Sequence, residues 1–224
     1  MPTEEAKISY LIFDKVQDKD VRVQIYQAFF HIETVKRFIV ELNEAVRALA
    51  RHRSALNQAQ GMGLGGGVAV RGYYAEMECA KVRVIGLLGI VIPAGHRFLK
   101  SLSRARKRDK QHDWGKLRSL TDIEDLYRRA RNACEHLSER IFRGEYTELS
   151  HFSFSIRSEL RFLDSTKGEV ILDFSEQALG ELVQMWETVV GMMESTEVRQ
   201  EAEAVDFDMD MPWPPPNPVP AADR

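Results

Sequence analysis

Hydrophobic residues recur every three or four positions through most of the chain, which is the spacing of one buried face on an α-helix. Pro93, followed by Gly95, indicates the end of one such pattern, because proline has no backbone N–H to donate. Ser175 has the side chain of a helix N-cap and precedes the last pattern. The spacing predicts helices over residues 1–17, 21–57, 69–92, 121–143 and 175–194.

The period changes to two between the last two helical patterns. Apolar and polar residues alternate over 159–163 and again over 169–174. The stretch between them, 164–168, is rich in turn-forming residues. This alternation predicts a small β-hairpin that caps the helices.

Two other segments lack a core-forming pattern. Residues 61–67 are glycine-rich and contain G-x-G-x-x-G, but no strand precedes them and no Lys-Ser/Thr pair follows, so they predict a flexible linker. Residues 196–224 are acidic and then proline-rich, which predicts a disordered tail or a docking peptide. The expected fold is all-α: an up-down bundle of four to five helices with a small β-hairpin over 1–195, and a disordered tail over 196–224.

Composition limits the classes of partner. The chain has 224 residues and a formal net charge of −3, so a nucleic acid would have to meet a local basic patch. The N-terminus begins acidic without the layout of a secretory signal, and the two cysteines lie at apolar helical positions, so a cytoplasmic location is expected. The most apolar run, 84–92, is too short to cross a membrane.

The segment 121–143 carries the candidate chemistry. Thr121 and Glu124 have the spacing of a capping box, which predicts where this helix begins. Its apolar residues form one stripe, and its polar residues occupy the opposite face. Gly144 follows as a stop signal.

The polar face of this helix contains an exposed track and a flanking arginine. Arg128, Asn132 and His136 are four apart and line the track. Arg131 lies on one flank, and His136 lies about 140° around the axis from it and roughly 7.5 Å further along. One straight helix therefore does not bring the two side chains together, whereas a second copy packed antiparallel across a two-fold axis would do so.

The run Arg131-Asn132-Ala133-Cys134-Glu135-His136 resembles the R-N-x-x-x-H signature of HEPN domains, the helical higher-eukaryote-and-prokaryote nucleotide-binding family. Its continuation to Ile141 is similar to an HEPN-like group linked to abortive infection. The resemblance implies a bundle of four or five helices that dimerises. Many members of the family are metal-independent endoribonucleases whose arginine and histidine meet at the dimer cleft, and others are inactive binding modules, often beside a nucleotidyltransferase.

The residue types fit RNA cleavage without a metal. A histidine such as His136, with an ordinary pKa of about 6.5, takes or gives a proton near neutrality. Arg131 stays cationic and presents a planar fork to phosphate oxygens. Asn132, one turn before His136, is placed to orient the imidazole. The spacing equally allows a plain surface ion pair between Arg131 and Glu135, worth about 0.5 kcal/mol or less.

The basic run over residues 100–110 precedes this helix and is the second candidate surface. Beside Trp114, the run predicts a contact with the RNA backbone, although a solvated loop or a frayed helix end explains it equally well. The predicted substrate-binding residues are Arg128, Arg104, Arg106, Lys107 and Arg108. The six histidines show no metal-ligand spacing, so neither a metal nor a cofactor is expected.

Two functions remain open at this point. The first is a metal-independent endoribonuclease of HEPN type, a toxin or phage-defence effector acting on RNA as a homodimer, with Arg131, Asn132 and His136 as its catalytic residues. The second is a non-catalytic HEPN-like module that binds a protein or a nucleotide. The partners expected with either one are an antitoxin or a nucleotidyltransferase, and not a membrane.

Overall fold

A computed structural model of the chain describes residues 3–62, 68–142, 152–154, 159–164 and 168–195, and within these ranges only the backbone of 68–69, 136–142, 152–154, 159–160, 162–164, 168–170 and 176. The described part is mostly helical, as the hydrophobic spacing predicted. Its helices are α1 (Glu4–Lys15), α2 (Lys19–Gly61), α3 (Val68–Arg108), α4 (Leu120–Phe142) and α5 (Glu176–Glu194), with a single 3-10 turn at Trp114–Lys116. Its strands are β1 (Phe152–Phe154), β2 (Glu159–Asp164) and β3 (Gly168–Asp173).

The two longest helices form an antiparallel hairpin. Asp18 caps α2, because its Oδ1 accepts hydrogen bonds from the backbone N–H of Asp20 at 2.8 Å and of Val21 at 3.0 Å. Arg108, at the end of α3, pairs with Asp20 at the start of α2. The two helices have 43 and 41 residues, and each is therefore roughly 60–65 Å long.

Pro93 lies inside α3, so the predicted helix end at Pro93 and Gly95 is wrong. A proline in a helix interior removes a hydrogen bond and costs about 3 kcal/mol. Val91 and Ile92 before it are each 1% exposed and Phe98 after it is 0% exposed. Burying each of these side chains stabilises the fold by about 1.5–3 kcal/mol, so packing outweighs the proline.

The main hydrophobic core lies between the α2–α3 hairpin and the shorter elements. On one side, the rings of Phe29 on α2 and Trp186 on α5 stack with their centroids 5.6 Å apart. On another side, β2 pairs antiparallel with both β1 and β3. Leu172 and Phe174, each 1% exposed, bring the end of the sheet into the core. Strands β2 and β3 cover the two segments predicted as a hairpin, and β1 adds a third strand that was not predicted.

The last helix follows its sequence signals. The side chain of Ser175 accepts a hydrogen bond from the backbone N–H of Ala178 at 3.3 Å, which confirms the predicted cap. Its apolar stripe is buried in the main core and comprises Leu179, Leu182, Met185, Trp186, Val189, Met192 and Met193.

A second, smaller hydrophobic cluster lies far along the α2–α3 hairpin. It consists of Leu56, Ala59, Val70 and Met77, each at most 9% exposed. Leu49 packs against both this cluster and the main core. The hairpin therefore extends past the main core as an arm that has an apolar interior of its own.

The start of α4 differs from its sequence prediction. The helix begins at Leu120, so Thr121 lies exposed in its first turn rather than capping it. Glu124 does not reach back to Thr121, because its Oε2 accepts a hydrogen bond from Ser103 Oγ on α3. Of the glycine-rich linker predicted over 61–67, Gly61 is the last residue of α2, and residues 63–67 lie outside the described ranges, as does the predicted tail, 196–224.

Candidate active site on the fourth helix

Helix α4 is fixed against α3 by a close approach at Gly95. A Cβ atom at this position would lie 2.5 Å from Cε1 of the Tyr127 ring, so any side chain larger than hydrogen collides with it. Tyr127 is 4% exposed, and its burial, followed by the charges of Asp173 and Glu181, raises the pKa of its hydroxyl. The contact sets the register of the two helices one turn before the predicted site.

Arg131 lies one turn beyond Tyr127 and is bonded to its own neighbours on α4. Its Nη2 donates a hydrogen bond to Asn132 Oδ1 at 3.0 Å. Its Nε lies 3.2 Å from Glu135 Oε1, so the Arg131–Glu135 ion pair that the spacing allowed is present. That N–H does not point at the carboxylate, however, and Nε is a buried donor without a hydrogen bond. The side chain as a whole is 33% exposed. Because Nε is buried, the exposed part is the remainder of the guanidinium, which reaches the surface.

His136 belongs to α4 by its backbone, and its side chain lies outside the described residues. The meeting of Arg131 and His136 across a dimer therefore stays a prediction. Asn132 was predicted to orient His136, and the contact described for it is the one with Arg131. The amide oxygen of Asn132 is thus committed to the guanidinium.

Arg128, predicted to bind substrate, shares a carboxylate with another arginine. Its Nη2 donates to Asp125 Oδ1, and Nη1 of Arg129 lies 3.9 Å from Asp125 Oδ2. The Arg128 side chain is 50% exposed, so it reaches solvent from this pair. An incoming phosphate would have to compete with one exposed carboxylate for it.

Cys134 lies within the motif but is not a nucleophile at neutral pH. It is half-buried and packs against the main core. Burial, and then the charge of Glu135, raises the pKa of its thiol to about 12. The thiolate is the reactive form of cysteine, so almost none of it is available near pH 7. Cys79, predicted to occupy an apolar position, is exposed instead.

Sequence reasoning missed a histidine that lies beside this site. His96 on α3 is 3% exposed, and its Nδ1 is buried without a hydrogen bond. Burial lowers its pKa, and so do the charges of Arg131, Lys100 and Arg128, while Glu124 opposes them. The imidazole is therefore neutral near pH 7. Its only sequence signal was the four-residue step to Lys100, which places the two residues on one face of α3.

The part of the basic run over residues 100–108 forms the last turns of α3, so it is helical rather than a loop, and Asp109 and Lys110 follow the helix. Arg106 donates to the backbone carbonyl of Leu117 at 3.4 Å, and Arg108 pairs with Asp20. Arg104 and Lys107 are exposed and make no ion pair within the described ranges. The two of them are therefore the more accessible cations of the predicted patch.

Trp114 lies beside the basic run, but it is buried and is not available to stack on a base. It is 6% exposed, and its Nε1 donates to Asp109 Oδ2 at 2.9 Å. The same oxygen lies 2.6 Å from Nδ1 of His112, whose side chain is 2% exposed. This buried cluster pins the connection between α3 and α4.

No protein-family model, no curated protein and no solved structure matches this chain. Among the residues that the structure describes, no group of three or more histidine, cysteine, aspartate or glutamate side chains is placed to hold a metal ion. Within the same ranges, no helix is both long enough and apolar enough to cross a membrane.

Proposed function

We propose that the chain is a metal-independent endoribonuclease of HEPN type, with Arg131, Asn132 and His136 as its catalytic residues. Two copies related by a two-fold axis form the site, and each contributes one α4. The substrate is RNA, contacted along its backbone by Arg104, Lys107 and Arg128, with Arg106 and Arg108 beside them. A toxin or phage-defence role, acting with an antitoxin or a nucleotidyltransferase partner, belongs to the same proposal.

One observation carries most weight in favour of this function. The R-N-x-x-x-H run lies on the single unbroken helix α4, where the guanidinium of Arg131 reaches the surface and is bonded to Asn132. A guanidinium held in one orientation loses less conformational freedom when it binds a phosphate than a free side chain does.

The chemistry assigns one task to each group. The imidazole of His136 accepts the proton of the ribose 2′-OH as its oxygen attacks the adjacent phosphorus, the P–O5′ bond breaks, and the imidazolium so formed gives that proton to the leaving 5′-oxygen. The products are a 2′,3′-cyclic phosphate and a 5′-hydroxyl. Arg131 stabilises the negative charge that develops on the phosphate oxygens. Removing one such preorganised donor typically lowers kcat by about 10²–10³, and removing a general acid or base lowers it by about 10²–10⁴.

The test is an RNA cleavage assay in EDTA with end-group analysis of the products. Wild type should cut RNA and leave cyclic phosphate ends, and Arg131→Ala and His136→Ala should each lose at least about a hundredfold in rate. Arg53→Ala and His52→Ala on α2 are the matched controls, since Arg53 is exposed and His52 pairs with Glu76 at 3.1 Å. Undiminished cleavage by His136→Ala would remove the mechanism, and metal dependence would remove the class.

A second candidate is a non-catalytic HEPN-like binding module. The observation that favours it is the proximity of Glu135, whose carboxylate lies 3.2 Å from Arg131 Nε and offsets its charge. This alternative predicts that wild type forms a measurable complex with a protein or a nucleotide and cuts no RNA. The RNA cleavage assay separates the two candidates, and size-exclusion chromatography with light scattering tests the dimer that the enzyme requires.

A further inference from the structure

The face of α3 that meets α4 places a second imidazole beside Arg131. Gly95 contacts Tyr127, and positions further along α3 meet earlier positions of α4, so the two helices run antiparallel. The hydrogen bond from Ser103 to Glu124 ties the helices together again further along. His96 lies seven residues before Ser103, and Arg131 lies seven residues after Glu124, so two helical turns along each helix bring the pair to the same level on the facing sides.

The two residues carry complementary hydrogen-bonding atoms that are both unused. Nε of Arg131 is a buried donor, and Nδ1 of His96 is a buried nitrogen, neither with a hydrogen bond. An arginine N–H only donates, and a neutral imidazole accepts at the nitrogen that carries no proton. Buried polar groups in proteins are almost always paired. Two complementary unpaired atoms on facing helices therefore indicate a bond that forms in another state of the site.

What holds Arg131 away from that bond is a carboxylate. Glu135 Oε1 lies 3.2 Å from Nε, and the Glu135 side chain is 58% exposed. An exposed ion pair of this kind is weak and is readily exchanged for another partner. A phosphate that approaches from solvent reaches the outward part of the guanidinium first and repels Glu135.

We propose that His96 is the positioning residue of the Arg131 site: when a phosphate displaces Glu135, the Nε–H of Arg131 bonds to Nδ1 of His96. The bond fixes the plane of the guanidinium and leaves its outer N–H groups for the phosphate. The binding of RNA by this site rests on the proposed function. The role of His96 adds a residue of α3 to a site that the motif placed on α4 alone.

The protonation state of His96 suits this role. A protonated imidazole donates at both nitrogens and cannot accept from an arginine. Burial and the charges of Arg131, Lys100 and Arg128 lower the pKa of His96, so it stays neutral near pH 7. Its buried position, 3% exposed, keeps it from the substrate and makes it a support for Arg131 rather than a proton donor.

The first test needs no RNA. Glu135→Gln removes the competing carboxylate, and the ¹⁵N resonance of His96 Nδ1 should then shift from its wild-type position as it accepts the Arg131 N–H. The Nε–H of Arg131, identified by its loss in Arg131→Lys, should exchange with solvent about fivefold to tenfold more slowly in Glu135→Gln than in Glu135→Gln/His96→Leu. Adding His96→Asn to Glu135→Gln instead should keep the slow exchange, because its side-chain oxygen accepts near the Nδ1 position. An unchanged Nδ1 resonance in Glu135→Gln overturns the proposal, whether or not the His96 variants fold.

The second test separates this inference from the proposed function. The probe is a fully 2′-O-methylated RNA, which cannot be cleaved, and its Kd is measured by fluorescence anisotropy. His96→Leu should weaken binding about fivefold to tenfold while His96→Asn stays near wild type. Equal Kd values for His96→Leu and wild type overturn the role of His96 even if wild type cuts RNA. If wild type neither binds nor cuts RNA, the proposed function fails, and the resonance of His96 in Glu135→Gln still decides whether the bond forms.

Discussion

Gly95 is the position where one added methyl group should reveal how tightly α4 is held on α3. In Gly95→Ala, the new Cβ would lie 2.5 Å from Cε1 and 2.9 Å from Cδ1 of Tyr127, well inside van der Waals contact. The ring is 4% exposed, so it cannot swing into solvent. Overpacking at the upper end of the usual range costs about 3 kcal/mol, and the better helix propensity of alanine returns about 1 kcal/mol. The free energy of unfolding should fall by about 2 kcal/mol.

Two glycines in the same helix supply the matched controls. Cβ atoms at Gly86 and Gly89 would meet nothing within 4 Å, so Gly86→Ala and Gly89→Ala keep the propensity gain without the clash. Each should raise the free energy of unfolding by up to about 1 kcal/mol. Urea titrations followed by circular dichroism measure all three variants with one transition midpoint and slope. If Gly95→Ala is as stable as Gly86→Ala, the close approach of α3 to Tyr127 does not exist.

Three further predictions follow from buried groups. The pKa of His96 in the folded state lies below its unfolded value of 6.5, so the neutral imidazole contributes stability above pH 6.5 that is lost as the pH falls. In urea titrations, wild type should therefore lose more free energy of unfolding than His96→Asn between pH 7 and pH 5. Asp109→Ala leaves Trp114 Nε1 and His112 Nδ1 without their shared acceptor, so it should lower the free energy of unfolding by about 2–5 kcal/mol; a loss below about 1 kcal/mol would contradict the cluster. Iodoacetamide should label exposed Cys79 before Cys134, whose thiol has its pKa raised to about 12, as peptide mass spectrometry would show.

The helices could be predicted from spacing because their cores are built from single apolar faces. For α5, the cap at Ser175 and the buried stripe both lie where the sequence indicates them. The end of α3 could not be predicted in this way. Whether Pro93 ends a helix depends on how much apolar surface the following residues bury, and that depends on α2 and α4, which are distant in sequence.

Only part of the candidate site could be predicted from the sequence, for a similar reason. Arg131 and Glu135 are neighbours on one helix, so their pairing followed from spacing alone. His96 comes 35 positions earlier than Arg131, and the two lie close only because α3 and α4 pack antiparallel in the register fixed by the Ser103–Glu124 and Gly95–Tyr127 contacts. The burial of Trp114 could not be predicted, because its partner Asp109 stands in the sequence as a single acid within a basic run. Single-helix relations are local, whereas helix–helix register is not.

The arm at the far end of the α2–α3 hairpin has a consequence for local unfolding and amide hydrogen exchange. Its interior is four small or medium-sized side chains, and it is joined to the rest of the apolar interior through Leu49. Local opening there exposes far less apolar surface than global unfolding does. Amide hydrogens of α2 beyond Leu49 should therefore exchange through local unfolding of the arm, whereas those near Ile32 should exchange only through global unfolding. One continuous helix, α2, would then hold both the most and the least protected amides along its length.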